Sequence, residues 1–163
     1  MPSYRLATRE DCIRMAPKLR KADQQEIEAG GYTDHAEALL SSFDGSQRAF
    51  CIEHNGEPIA VYGVAPAETW SDSKVRLGVC WMLATDGLRT HWRWFLRHSL
   101  EIVAMIEGGY DALFNLVDAR NTVHIRWVEW CGFKQLETVP YGVNGEPFIQ
   151  ILKVIPCATS PQD

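Results

Sequence analysis

Apolar and polar positions recur along this chain with two periods, and each change of period marks an element. Residues 4 to 7 form a short extended run, and Thr8 with Asp11 three residues on reads as a capping box that starts a helix. Ile13, Met15 or Ala16, and Leu19 give that helix its apolar face, which Pro17 must kink or shorten because it lacks a backbone donor. Residues 22 to 29 make a second helical piece, stopped by Gly30-Gly31. Thr33-Asp34 with Glu37 opens a third, carrying Ala36, Leu39, Leu40 and Phe43 at helical spacing. Residues 48 to 54 and 58 to 64 then flank Asn55-Gly56, the strongest two-residue hairpin signal.

A loop rich in Pro, Ser and Asp (residues 66 to 73) leads to residues 75 to 83, so apolar that they belong in the middle of a sheet. Trp92, Leu96, Ser99 or Leu100, Val103 and Ile106 mark a long amphipathic helix that Gly108-Gly109 stops. The next stretch organises the chain: an apolar strand over residues 112 to 117, Asn121 at a helix N-cap, a helix of about ten residues, Gly132 as its stop and Phe133 opening another strand. The apolar stripe expected on that helix is Val123, Trp127 and Trp130 or Cys131. Residues 133 to 139 and 148 to 154 flank Asn144-Gly145 as a closing hairpin. The order is one strand, two or three helices, three strands, a long helix, a strand, a helix and two strands, which suits an α/β domain with a mixed sheet and helices on both faces. A single domain is expected over residues 1–155, with a polar tail over 156–163.

Composition narrows the function more than the fold. With 163 residues, 46% apolar content and 23% charged residues, the chain has material for one sizeable core. A net charge of -5 disfavours binding through phosphate neutralisation, so nucleic acid is an unlikely partner. No apolar run reaches the roughly 20 residues of a membrane helix, and the first residues do not read as a signal peptide, so a non-secreted cytoplasmic protein without a membrane span is expected. The five cysteines (Cys12, Cys51, Cys80, Cys131, Cys157) lack metal-ligand spacing and read as reduced, mostly buried thiols; no metal is expected.

Asn121, a helix, and Gly132-Phe133 eleven residues later, with a strand on each side, resemble the C-terminal half of the GNAT (GCN5-related) N-acetyltransferase fold. Asn115, the run Asn121-Thr122 with His124-Ile125-Arg126, the start Arg5-Leu6-Ala7-Thr8 with Asp11, and Trp81 with Thr85-Asp86 resemble more particularly the GNAT-like internal virion proteins of short-tailed bacteriophages. The resemblance covers most of the chain. It implies a GNAT-like mixed, mostly antiparallel central sheet with helices on both faces. It further implies a phage component of the host cytoplasm and virion interior, in contact with other virion proteins during assembly or ejection, with a degenerate acetyl-CoA site. The alternative is an acetyl-CoA-dependent N-acetyltransferase that modifies an amine.

GNAT enzymes close a Gly-rich loop around the pyrophosphate of the cofactor through backbone amides and a helix N-terminus. Here that loop, residues 84 to 91, has one glycine, and the resemblance puts acetyl-CoA contacts at Met82, Leu83, Thr85, Gly87, Arg89, Asn115 and Asn121. Asp86 would oppose the phosphates unless Arg89 or Arg93 neutralised it. The other reading has Thr85 or Asp86 capping the helix, and Arg89, Arg93 and Arg97 forming a solvated face.

Val128 stands seven residues after Asn121, where GNAT enzymes commonly carry a Tyr acid, so no catalytic residue is assigned. Cys131 is either a substitute acid or a core thiol. Glu68 and Asp72 are either candidate bases or ordinary loop acids. Asn115, an amide in an apolar strand, either lines a cleft where neighbouring strands splay, or faces solvent at a strand edge or is satisfied internally. His124 and Arg126 match the phage branch or are simply exposed. Trp92, Trp94, Trp127 and Trp130 are core unless left exposed, in which case they favour a protein-contact surface.

Overall fold

Seven strands form one sheet in the order β1-β2-β3-β4-β5-β7-β6: β1 (Ser3–Leu6), β2 (Arg48–His54), β3 (Glu57–Pro66), β4 (Leu77–Ala84), β5 (Ala112–Asp118), β6 (Lys134–Tyr141) and β7 (Glu146–Val154). Six α-helices connect them: α1 (Arg9–Met15), α2 (Lys21–Ala29), α3 (His35–Gly45), α4 (Asp86–Thr90), α5 (Trp92–Glu107) and α6 (Thr122–Trp130). This is a computed structural model that describes residues 1–67 and 74–156; Glu68, Asp72, Cys157 and the remaining tail lie outside the described residues.

The local signals act as their chemistry requires. Thr8 and Asp11 form the reciprocal capping box of α1, and the helix ends at Met15, giving way to a 3-10 turn that contains Pro17. Asp34 accepts from the amides of Ala36 and Glu37 and so caps α3. Asn55 and Gly56 take φ of 51° and 76°, the left-handed pair that a two-residue hairpin with the right strand twist needs.

All strand pairs are antiparallel except β4 with β5. The core lies on both faces of the sheet. On β2 and β3, Phe50, Ile52, Ala60 and Tyr62 pack with α5 and α6, whereas Cys51 and Val61 pack with the residues of α1, α2 and α3. Burial on both faces is why these strands are buried at successive positions and not at alternate ones. Cys12, Cys51, Cys80 and Cys131 are all buried free thiols.

Two expected helix faces hold in part: Ser99, Val103 and Ile106 on α5, and Trp127 and Cys131 at α6, pack on the core as expected, and the other expected positions do not. On α5 the buried residues are Phe95, Ser99, Ile102, Val103 and Ile106, while Trp92, Leu96 and Leu100 are exposed. On α6 they are Ile125 and Val128, followed by Cys131, while Val123 and Trp130 are 75% and 67% exposed. Both helices carry apolar residues over a wider arc than the sheet can cover. Trp127 lies at the boundary, its ring 5.0 Å from that of Phe95 and its indole donating to Ser99 Oγ at 2.8 Å.

Candidate active site

The parallel pairing of β4 with β5 lasts for three residue pairs, Leu77 with Ala112, Gly78 with Leu113 and Val79 with Phe114. Beyond them the strands part, although β4 stays in register with β3 to Ala84, and β5 with β7 to Asp118. Backbone groups that leave a sheet need other partners, and α2 supplies them with two acids one turn apart. Asp23 Oδ2 accepts from Ala84 N at 2.9 Å, and Arg20 N donates to Ala84 O, which anchors the end of β4. Glu26 Oε1 accepts from Asp118 N at 3.2 Å and from Asn121 Nδ2 at 3.3 Å, which anchors the end of β5 and the cap of α6. The helix thus bridges the open end of the gap.

These acids differ in charge environment. The Arg20 guanidinium forks onto both oxygens of Asp23 at 2.8 and 2.9 Å. Arg120 does the same for Asp118 and holds its carboxyl below the usual range. Glu26 has no such cation: burial, with the charge of Asp23 as a second cause, pushes its carboxyl up to about 7. His124 faces the gap from α6, its ring edge-on to Trp127, and burial lowers its imidazole to about 4, so it is neutral at physiological pH.

A groove of about 290 Å³ opens on the α2, α3 and β6-β7 side, lined by Glu26, Trp81, Met82, Leu83, Asn115 and His124 among others. The opposite face of the gap holds only about 30 Å³, because Ile102, Trp127 and Val128 pack into it. Trp81, Met82, Asn115 and His124 line both and therefore stand between them.

The gap brings together four of the seven residues the sequence points to for acetyl-CoA. Met82, Leu83 and Asn115 line it, and Asn121 reaches it through Glu26 while its Oδ1 caps α6 by accepting from His124 N at 3.3 Å. Thr85, Gly87 and Arg89 sit together at the end of β4. There the residues expected to be an open loop form the short helix α4, with Thr85 as N-cap. Thr85 Oγ1 accepts from Gly87 N, and Thr85 O accepts from Leu88 N. Arg89 is exposed, and Arg93 lies over the ring of Trp92. Val128 and Cys131 are core residues, and burial raises the Cys131 thiol to about 11; Arg126 is exposed. Glu26 is the residue that sequence reasoning missed. Its one signal was that α2 has a single large apolar residue, Ile27, so the helix must bury polar neighbours as well.

No protein-family model matches the sequence, and no curated sequence matches it. Solved structures match it closely in backbone. An aminoglycoside acetyltransferase, AAC(6')-Ib, in complex with coenzyme A is 17% identical at a TM-score of 0.66, covering 94% of this chain and 95% of its own. A ribosomal-protein-alanine N-acetyltransferase from Brucella melitensis is 16% identical at 0.67, covering 94% and 99%. An acetyltransferase of the GNAT family from Streptococcus pneumoniae is 13% identical at 0.61, covering 96% and 100%. The fold is that of the GNAT acetyltransferases. Among the described residues, no helix is long and apolar enough to cross a membrane, and no cluster of three metal-ligating side chains occurs.

Proposed function

We propose that this protein is an N-acetyltransferase that uses acetyl-CoA to modify an amine, with Glu26 as the general base. The observation that carries this reading is a carboxyl without a cation partner, at the open end of the gap, with its pKa near 7. A base is most effective when its pKa lies near the working pH, because it is then both free to accept a proton and basic enough to do so. Acetyltransferases with this fold, one of them solved with coenzyme A, support the reaction class.

The gap fits a thioester arm. Met82, Leu83 and Asn115 would hold it, and Arg89 and Arg93, both exposed, would meet its anionic end, since Gly87 N and Leu88 N already bond to Thr85. Acetyl-CoA supplies the activated acyl carbon when bound. Glu26 takes the proton of the attacking amine. His124, neutral and facing the same gap, offers a nitrogen lone pair or N–H to a polar group there. Val128 supplies no proton, so the second proton of the exchange comes from water, which suffices for a thiol of pKa about 8.5.

Calorimetric titration with acetyl-CoA, paired with a thiol-release assay over a panel of amines, tests the proposal. Saturable binding and amine-dependent thiol release are expected; a protein with neither at millimolar acetyl-CoA is not such an enzyme.

A second reading has its own observation. Trp92, Leu96 and Leu100 on α5, and Val123 and Trp130 on α6, are all exposed, and exposed apolar side chains on neighbouring helices favour a protein-contact surface. Together with the resemblance to internal virion proteins, this supports a role as a phage component that docks other virion proteins through that face. Mass spectrometry of purified particles tests it: the protein should be present, and Trp92→Ser with Trp130→Ser should remove it.

A further inference from the structure

The groove on the α2 side is closed over at one end. The tip of the β6-β7 hairpin lies on the C-terminus of α2, with Val143 N donating to Ala29 O at 3.1 Å. The approach is so close that a Cβ on Gly142 would sit 1.7 Å from Ala29 O, and Val143 Cγ1 lies 3.1 Å from where a Cβ of Gly31 would be. Gly142 at φ 76° and Gly31 at φ 97° meet both the steric and the backbone demand. This contact ties the hairpin tip to α2 beside Gly30 and Tyr141, which line the groove, and bounds at that end a recess, the pit.

The greater part of the pit wall is apolar and aromatic, with Ile27 from α2, Trp81 from β4, Phe114 and Leu116 from β5, and Tyr141 and Phe148 from the hairpin, while Ser42, Asn115 and His124 add neutral polar groups. The Tyr141 and Phe148 rings pack 4.8 Å apart, and the Trp81 indole N–H is committed to Ser46 Oγ at 2.8 Å, so that ring offers its apolar surface. Among the described residues that line the pit, Glu26 is the sole carboxylate. The nearby acids Asp23 and Asp118 are held by Arg20 and Arg120.

We infer that the acceptor is a small monoamine carrying an aromatic or compact apolar body, with its one amino group at Glu26 and its body against the hairpin and β5. This rests on the acetyltransferase reading for its chemistry but not for its binding. A cavity of about 290 Å³, part of which the thioester arm would share along Met82, Leu83 and Asn115, leaves room for a ligand no larger than that. A polyamine would leave further ammonium groups in the pit with no second carboxylate among the described lining residues to pair them, and unpaired charge away from water is costly. A protein lysine would need the hairpin to lift from α2.

The test is calorimetric titration of the full chain with phenethylamine, spermine and a lysine-containing hexapeptide, without cofactor, followed by thiol release with acetyl-CoA for each. Phenethylamine is expected to bind at least tenfold more tightly than the other two, and Leu116→Trp, which fills the pit from β5, should abolish its binding. Equal or tighter binding of spermine or the peptide overturns the inference, as does a folded wild type that ignores phenethylamine. Phenethylamine binding that never leads to thiol release would instead count against the acetyltransferase reading and leave the ligand class standing. Gly142→Ala should raise turnover of the peptide relative to phenethylamine by detaching the hairpin. If that variant does not fold, Val143→Gly, which removes the side chain packed on Gly31, asks the same question with less strain.

Discussion

Asp23 and Glu26 occupy one helix, one turn apart, and do the same geometric work: each accepts a backbone N–H from the end of a strand that has left its neighbour. They differ in what else surrounds them. Asp23 is 1% exposed and gripped at both oxygens by Arg20, so its charge is matched and its function is that of a fixed anchor. Glu26 is partly buried with no guanidinium forked onto it, and the like charge of Asp23 adds to the effect of burial. A carboxyl placed to hold a strand and then deprived of a counter-ion is left with a proton that it can exchange near neutrality. The same helix thus carries a fixed anchor and the acid proposed as the base.

The comparison is tested most severely by removing the ionisable group from Glu26 and keeping its shape. Glu26→Gln retains an oxygen for Asp118 N and Asn121 Nδ2, so the fold should persist, while kcat should fall by about 10²- to 10⁴-fold, the usual worth of a positioned base. Steady-state kinetics with an amine acceptor would check it, and a variant that retains full kcat would make Glu26 a mere anchor.

Asp23→Asn should behave in the opposite way. It leaves Arg20, 23% exposed, without its counter-charge, and should cost about 3 kcal/mol of stability in urea unfolding, with kcat changed far less than by Glu26→Gln.

Titration sharpens the contrast further. The folded-state pKa of Glu26, about 7, is raised above its ordinary value near 4.5, so its contribution to stability is fully present below about pH 4.5 and is lost as pH rises through 7. The loss is at most about 3 kcal/mol, and Glu26→Gln should gain on the wild type over that window. His124 has the reverse sign. Its imidazole, lowered to about 4 from 6.5, contributes stability present above pH 6.5 and lost as pH falls toward 4. The two trends oppose one another in the wild type between pH 4.5 and 6.5. Chemical denaturation at several pH values should therefore show a flatter profile there for the wild type than for Glu26→Gln. Acetyl transfer itself should rise as pH passes through 7.

What could be read from the chain was what neighbouring residues settle among themselves. The caps at Thr8, Asp34 and Asn121, the Asn55-Gly56 turn and the positive φ of 94° at Gly132 all depend on residues within a few positions. The faces of α5 and α6 were legible only in part, with Trp92, Leu96, Val123 and Trp130 left exposed, because each helix has two adjacent apolar rows, and which row the sheet covers is decided by residues far away in sequence. The gap between β4 and β5 left only one local mark, the amide of Asn115 in an otherwise apolar strand, because both strands remain paired on their outer sides. Glu26 was invisible for the same reason: its partners Asp118 and Asn121 lie 92 and 95 residues along the chain, and only the folded sheet brings them to α2.

The smallest expected effect concerns Gly87, the one glycine between β4 and α5. A glycine there could serve to expose backbone donors to an anion or to make room for a neighbour, and the geometry favours the second: a Cβ would lie 2.7 Å from Ile59 Cγ2, and the Gly87 amide already bonds to Thr85 Oγ1. Gly87→Ala should cost about 1 kcal/mol, the strain of overpacking against the buried Ile59 being partly offset by the better helix propensity of alanine. Pairing it with Ile59→Ala, which removes the clashing methyl, separates the two roles. If Gly87 is there for packing, the double variant should bind acetyl-CoA as tightly as Ile59→Ala alone, because the amide direction is unchanged. A tenfold weaker affinity in the double variant would mean that the flexibility of this turn, rather than its side chains, receives the anionic end of the cofactor, and the role assigned to Arg89 and Arg93 would pass to the backbone.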